Sequence, residues 1–240
     1  DTQSIAVTVS NVYEPPVITS GGGADPAFYD ISENSTSITA VTSNIDFGKV
    51  GTYTIIGGAD ASKFSINPTT GALRFITAPN YEMPSDSDAN GSYAVKVQVS
   101  DGVGGTDVQD ITITVKDVNE APIISGNGAK ASLVVAENTN AVTTVTATDV
   151  DAGDKLTYSL SGDDGGLFTI SSTGALSFDT APNYEAASDT GANNIYDLTV
   201  TVTDVKGLTS SRDISVSVAN VNEAPAITNN DGAQMGINVV

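Results

Sequence analysis

The sequence predicts an all-β chain made of two β-sandwiches in tandem. Three observations predict it: a proline-ended segment that recurs, apolar residues that alternate with the period of a strand, and turn residues at short intervals. The segment DVNEAP at residues 117–122 returns as NVYEPP at 11–16 and as NVNEAP at 220–225, with start-to-start spacings of about 106 and 103 residues. Proline cannot donate to a β-ladder and keeps the preceding residue extended, so each copy reads as a junction between domains. Residues 15–120 and 121–223 are then the two complete repeats. Residues 1–14 read as the tail of a preceding repeat, and residues 224–240 as the start of a following one.

In the first repeat the turn PTTG at 68–71 precedes a strand at 73–76. Next, SYAVKVQVS at 92–100 alternates Tyr93, Val95, Val97 and Val99 with outward residues, and residues 110–116 alternate Ile111, Ile113 and Val115. Period two is that of half-buried antiparallel strands. The second repeat follows the same order: STG at 172–174 before a strand at 176–178, then Tyr196, Leu198, Val200 and Val202, then Ile214, Val216 and Val218. No segment holds a helical period over three turns. About 100 residues per unit suits an immunoglobulin-like sandwich of seven strands. With no cysteine there is no inter-sheet disulfide, and the core rests on Val, Ile, Leu, Phe and Tyr.

The chain carries 29 Asp plus Glu against 9 Lys plus Arg, a formal charge of -20, yet 39% of its residues are hydrophobic, which argues against disorder. So acidic a surface repels nucleic acid and anionic lipid, and it opposes its own compact state unless cations compensate it. The absence of Cys and His removes thiolate and imidazole metal sites, His-activated nucleophiles and histidine pH switching, leaving hard-oxygen ligation. No run of about 18 apolar residues and no basic-then-apolar start occurs, so this stretch reads as neither a membrane span nor a signal peptide.

Aligning the repeats by their junctions brings further polar residues into register. SEN at 32–34 matches AEN at 136–138, and TAPNYE at 77–82 matches the same hexapeptide at 180–185. VSDG at 99–102 matches VTDV at 202–205, while TDVDAGD at 148–154 has only a partial counterpart in SNID at 43–46. These residues fall at strand ends and turns. Carboxylates and amides converging on a junction suit Ca2+, which accepts six to eight oxygen ligands in flexible geometry; Mg2+ prefers a tighter octahedron and more water.

On these residues the chain resembles the cadherin repeat, most closely its version in large secreted bacterial adhesins. The resemblance covers both repeats and rests on the Glu of SEN and AEN, the NYE box, the DVD pair, the Asp of VSDG and VTDV, and the DVNEAP linker. It implies cadherin-type, Greek-key immunoglobulin-like sandwiches, an extracellular or cell-surface location, and a calcium cluster at each junction. Carried over residue by residue, it implies that the central cluster takes Glu33, Asn80 and Glu82 from the first repeat. The linker would give the carbonyls of Val118 and Ala121 and the side chains of Asn119 and Glu120; the second repeat would give Asp149, Asp151 and Asp204. Asp117 is expected to hydrogen-bond near the linker rather than touch metal.

The carboxylates of this set sum to about six negative charges, enough for three divalent cations. Asn80-Tyr81-Glu82 stands where the family commonly has Asp-Arg-Glu, and Glu120 stands for Asp, so two ions and three are both compatible. Affinities of about 10⁻⁴ to 10⁻³ M are expected, as for other extracellular modules. Partial occupancy is expected at the outer junctions, around Asn11, Glu14, Asn44, Asp46 and Asp101 at one end and Glu137, Asn183, Glu185, Asn222 and Glu223 at the other.

Competing readings are plainer. The acids can be a solvated surface, although scattered charge has no reason to recur in register. Asn80 and Asn183 can cap turns, and Tyr81 and Tyr184 read as packing residues. DSDANG at 86–91 opens like an EF-hand loop, but position twelve is Val97 rather than Glu, which favours a polar loop. The glycines at 21–23 and 57–58 lack the Lys-Ser or Lys-Thr of a phosphate cradle. Asp163 and Asp164 have the pairing of glycosidase carboxylates without an aromatic-lined cleft. The expected function is therefore not enzymatic: a calcium-rigidified extender or stalk of a bacterial surface adhesin, whose partners are its neighbouring repeats. The alternative is a carbohydrate- or protein-binding module with calcium-dependent, homophilic recognition.

Overall fold

A computed structural model describes residues 2–46, 48–126 and 130–224. The chain divides into two compact units, Asp1–Val118 and Asn119–Val240. The strands of the first unit are β1 (Val17–Ile18), β2 (Ala27–Ser32), β3 (Ser37–Ala40), β4 (Ser43–Asn44), β5 (Thr52–Gly57), β6 (Phe64–Ile66), β7 (Ala72–Phe75), β8 (Ser92–Ser100) and β9 (Thr106–Lys116). Those of the second are β10 (Ile123–Ile124), β11 (Lys130–Ala136), β12 (Ala141–Thr144), β13 (Ala147–Thr148), β14 (Thr157–Ser161), β15 (Phe168–Ile170), β16 (Ala175–Phe178), β17 (Ile195–Thr203) and β18 (Thr209–Ala219). Each unit is an immunoglobulin-like β-sandwich: a four-stranded sheet β2-β9-β8-β5 over a three-stranded sheet β3-β7-β6, and likewise β11-β18-β17-β14 over β12-β16-β15. A small ribbon is added to each, β1-β4 and β10-β13.

The long hairpins form where the alternation is cleanest. Along β8 every second residue is buried, with Tyr93, Val95, Val97 and Val99 facing Ile111, Ile113 and Val115 of β9 in one core. β17 and β18 repeat this with Tyr196, Leu198, Val200 and Val202 against Ile214, Val216 and Val218. Both cores hold the same aromatic trio, two tilted phenylalanines with a tyrosine edge to face against them: Phe64, Phe75 and Tyr93 in one, Phe168, Phe178 and Tyr196 in the other. Each tyrosine hydroxyl accepts a backbone N–H, Ser85 N at 2.9 Å and Ser188 N at 3.3 Å. Tyr93→Phe is expected to lower the stability of the first unit by about 0.5–1.5 kcal/mol, the net worth of one such bond, in denaturant titration.

The predicted turns before β7 and β16 are built on glycine. Gly71 (φ 68°) and Gly174 (φ 80°) sit in the left-handed region, where a Cβ would lie 2.1 Å from the Val41 carbonyl and 2.0 Å from that of Val145. Only glycine fits there.

Two features go beyond the sequence reading. The first strand of each main sheet runs parallel to the last, β2 with β9 and β11 with β18. The register ends Ser32↔Lys116 and Ala136↔Ala219, so Glu33 and Glu137, one residue beyond, arrive beside the outgoing linker. The second feature is a pair of buried acids, Asp60 and Asp164, 3% and 4% exposed. Asp60 accepts from Ser87 N and Ala94 N at 2.7 and 2.8 Å. Asp164 accepts from Thr190 N, the Thr190 hydroxyl and Asp197 N, each at 2.8 Å. In the Asp163-Asp164 pair, Asp164 is thus a structural pin.

The EF-hand-like loop is also structural. Asp86 accepts from Asn90 N at 2.8 Å and Gly91 N at 3.2 Å, and Asp189 accepts from Asn193 N and Asn194 N at 2.9 Å, locking both turns. Among the described residues, no helix is long and apolar enough to cross a membrane.

Candidate metal centre

The linker end of the second unit is assembled by the β10-β13 ribbon. Ile123 pairs with Thr148, which lays residues 119–122 beside the loop that carries Asp149, Asp151 and Asp154. Glu120 N donates to Asp151 Oδ2 at 2.9 Å, and Asp151 N donates to Asp149 Oδ1 at 3.1 Å. Asp204 lies one residue past β17, where its Oδ1 collects the N–H groups of Lys206 (2.9 Å), Gly207 and Leu208 (2.8 Å). Its Oδ2 takes the Asn119 amide at 2.6 Å. Asp149, Asp151 and Asp154 each bring one carboxylate oxygen within 4.8 Å of the others, and Asp151 and Asp204 are only 7% and 5% exposed.

Four buried oxygens here have no hydrogen-bond partner: Asn119 Oδ1, Asp149 Oδ2, Asp151 Oδ1 and Asp154 Oδ2. An unmet buried acceptor costs about 1–3 kcal/mol, and carboxylates packed together repel as well. Hard oxygens of this number and charge fit a divalent cation such as Ca2+. Burial pushes the Asp154 carboxyl above its usual range, and the negative charges of Asp149, Asp151 and Asp204 add to this while Lys206 opposes it. Burial acts on Asp204 in the same direction, but the Asn119 amide and the N–H groups of Leu208, Gly207 and Lys206 outweigh it and hold that carboxyl low.

Asp154 closes the DVDAGD run at 149–154 and lies outside the ligand set that the family resemblance implies. Its raised carboxyl takes up a proton before ordinary carboxylates do as pH falls. Binding of a divalent cation by these acids would therefore decline on acidification at a higher pH than ordinary carboxylates would set. Asp154→Asn should move that decline to lower pH in calorimetric titrations.

At the far, C-terminal end of the first unit, Glu33 is 3% exposed and accepts from Tyr81 N at 2.9 Å and Val118 N at 3.0 Å. Glu33, Glu82 and Asp117 bring oxygens within 4.8 Å of one another. The Asn80 side-chain oxygen accepts from Met83 N and caps a turn, the alternative role its sequence position allows, as Asn183 does for Ala186 N at 2.9 Å. Tyr81 and Tyr184 are 47% and 40% exposed and are not core residues. Val118 gives its N–H to Glu33, and Ala121 is exposed in the linker.

The far end of the second unit repeats the first unit's pattern. Glu137 accepts from Tyr184 N at 2.9 Å and Val221 N at 2.7 Å, and these two N–H groups hold its carboxyl low. Glu137, Glu185 and Glu223 cluster within 4.8 Å, with Asn138 bonded to Glu223 and Asn220 to Glu185.

This geometry has known counterparts. The chain is similar in structure to human protocadherin-24 EC1-2, with a TM-score of 0.54 at 20% identity, covering 88% of this chain and all of that one (100%). The fold is that of cadherin extracellular domains. A second cadherin-like match, PcdhgB3 EC1-4, has a TM-score of 0.53 at 24% identity and covers 87% of this chain and 50% of that one. In sequence the chain is 32% identical to human Protocadherin Fat 1 over 185 residues, and 32% identical to human Protocadherin-15 over 186. Those matches take in 73% and 74% of this chain, which spans only 4% and 9% of the two cadherin relatives. Residues 119–217 match the family model described as Bacterial Ig domain.

Proposed function

We propose that this cadherin-like chain is a calcium-rigidified extender of a bacterial cell-surface adhesin. The observation that carries the proposal is the set of four buried, unpartnered oxygens on Asn119, Asp149, Asp151 and Asp154. The bacterial Ig match over 119–217 supports the bacterial setting, and the similarity to protocadherins supports an extracellular, adhesive one.

In this reading, calcium supplies the positive charge that the acids lack. The chain's own residues do the rest. Asp204 and Asp151 hold Asn119 and Glu120 in place, and Asp149, Asp151 and Asp154 present oxygens beside them. Glu33 and Glu82 close the preceding unit, whose last residue, Val118, is bonded directly to Asn119. Ions shared by both sets would restrict that one joint, and neighbouring repeats become mechanical partners. Asp154 adds a carboxylate to the set while the Asn80 box lacks one. Calorimetric titration of the chain with calcium is expected to show uptake with dissociation constants of about 10⁻⁴ to 10⁻³ M. No heat of binding in that range would refute the proposal.

A further inference from the structure

The linker end of the first unit uses different chemistry. Aligned on the linker, Tyr13 stands where the second unit has Asn119, and Asp101 stands for Asp204. SNIDFGK at 43–49 runs where TDVDAGD does at 148–154, which leaves Asp46 the one carboxylate of that stretch and puts Lys49 in place of Asp154.

The two carboxylates of this end, Asp101 and Asp46, are both met by donors from the incoming linker. The Tyr13 hydroxyl donates to Asp101 Oδ2, while Asp101 Oδ1 takes Gly105 N at 2.9 Å and Val103 N at 3.0 Å. This bond holds the Tyr13 phenol above its usual range and Asp101 below its own. The Asn11 amide spans both oxygens of Asp46, at 3.0 and 3.3 Å. Gly105 gives independent support. A Cβ at this buried position would lie 2.2 Å from the Tyr13 hydroxyl, 2.6 Å from Asp101 Oδ2 and 2.7 Å from Pro16. The matching residue of the second unit is Leu208, where the linker residue is the shorter Asn119. The larger Tyr13 and the missing side chain at 105 are complementary.

We infer that the linker end of the first unit is a metal-independent latch, in which Tyr13 and Asn11 donate hydrogens to Asp101 and Asp46, where the second unit leaves one oxygen of Asp151 without a partner. The two units then differ in kind at the same structural position. Chelation acts on one end and not on the other. A polar hydrogen already occupies Asp101 Oδ2, and a cation there would have to displace the phenol from a cleft shaped around it.

Hydrogen exchange of the whole 240-residue chain, read at the Val103 and Gly105 amides with and without EDTA, tests this. The expected result is equal protection in both conditions, with Tyr13→Phe speeding exchange about tenfold or more in both, the equivalent of one hydrogen bond to a charged acceptor. Asp101→Asn should leave the calorimetric calcium stoichiometry unchanged, whereas Asp204→Asn should lower it. Faster exchange in EDTA, or fewer ions bound by Asp101→Asn, would overturn the latch. The exchange arm involves no residue of the second unit, so it reads the latch whether or not that unit binds calcium.

Discussion

Asp151→Ala is expected to weaken calcium uptake at least about tenfold while leaving both sandwiches folded. The carboxylate combines two roles in one place: one oxygen anchors Glu120 N at 2.9 Å, and the other is buried without a partner. Removing it takes a charged ligand from the cluster and frees the start of the linker. Losing a charge-assisted contact worth about 1.5–3 kcal/mol weakens affinity by at least about tenfold. The cluster lies outside the apolar core of Tyr196, Val200, Val202 and Val216, so melting in EDTA should barely change. Removing one of several repelling carboxylates is, if anything, favourable to the metal-free fold. Unchanged calorimetric heats would contradict this assignment, and so would a collapse of the second unit in EDTA.

Asp164→Ala is expected to destabilise the second unit by about 3–5 kcal/mol, because three donors that now share one buried carboxylate would be left unpaired. The donors are Thr190 N, the Thr190 hydroxyl and Asp197 N, so the residue ties the turn before β15 to the loop before β17 and to β17 itself. In a unit of about 100 residues, a loss of this size lowers the melting midpoint by more than about 10 °C. Scanning calorimetry should show one transition moving and the other staying. Asp164→Asn keeps one acceptor oxygen and should fall between. A change below about 1 kcal/mol for the alanine variant would show that the donors find water instead.

Strands whose alternate residues are both regular and fully buried, such as β8, β9, β17 and β18, were legible in the sequence. The edge strand β2 was not: Ala27, Tyr29 and Ile31 face inward, but Phe28 between them is 72% exposed, and one apolar residue on the wrong face hides the period. Its parallel pairing with β9 could not be read either, since partner and direction are set by the closing of the sandwich rather than by local pattern. The recurrence of acids in register pointed to the clusters at Glu33, Glu82, Asp149 and Asp151. An amide oxygen suits a ligand or a cap equally well, which is why Asn80 needed coordinates. Asp154 and Tyr13 were visible in their motifs, but their roles depend on burial and on a single hydrogen bond. Asp60 and Asp164 recur just before equivalent turns, yet a buried acid bound mainly by backbone donors leaves no mark on composition.

Small-angle X-ray scattering of the chain in calcium and in EDTA tests the central claim most directly. Bound ions should give a narrow distribution of maximum dimension and a low flexibility index, both lost on chelation and restored by excess calcium. Identical profiles in the two conditions, from protein shown by calorimetry to bind calcium, would contradict it.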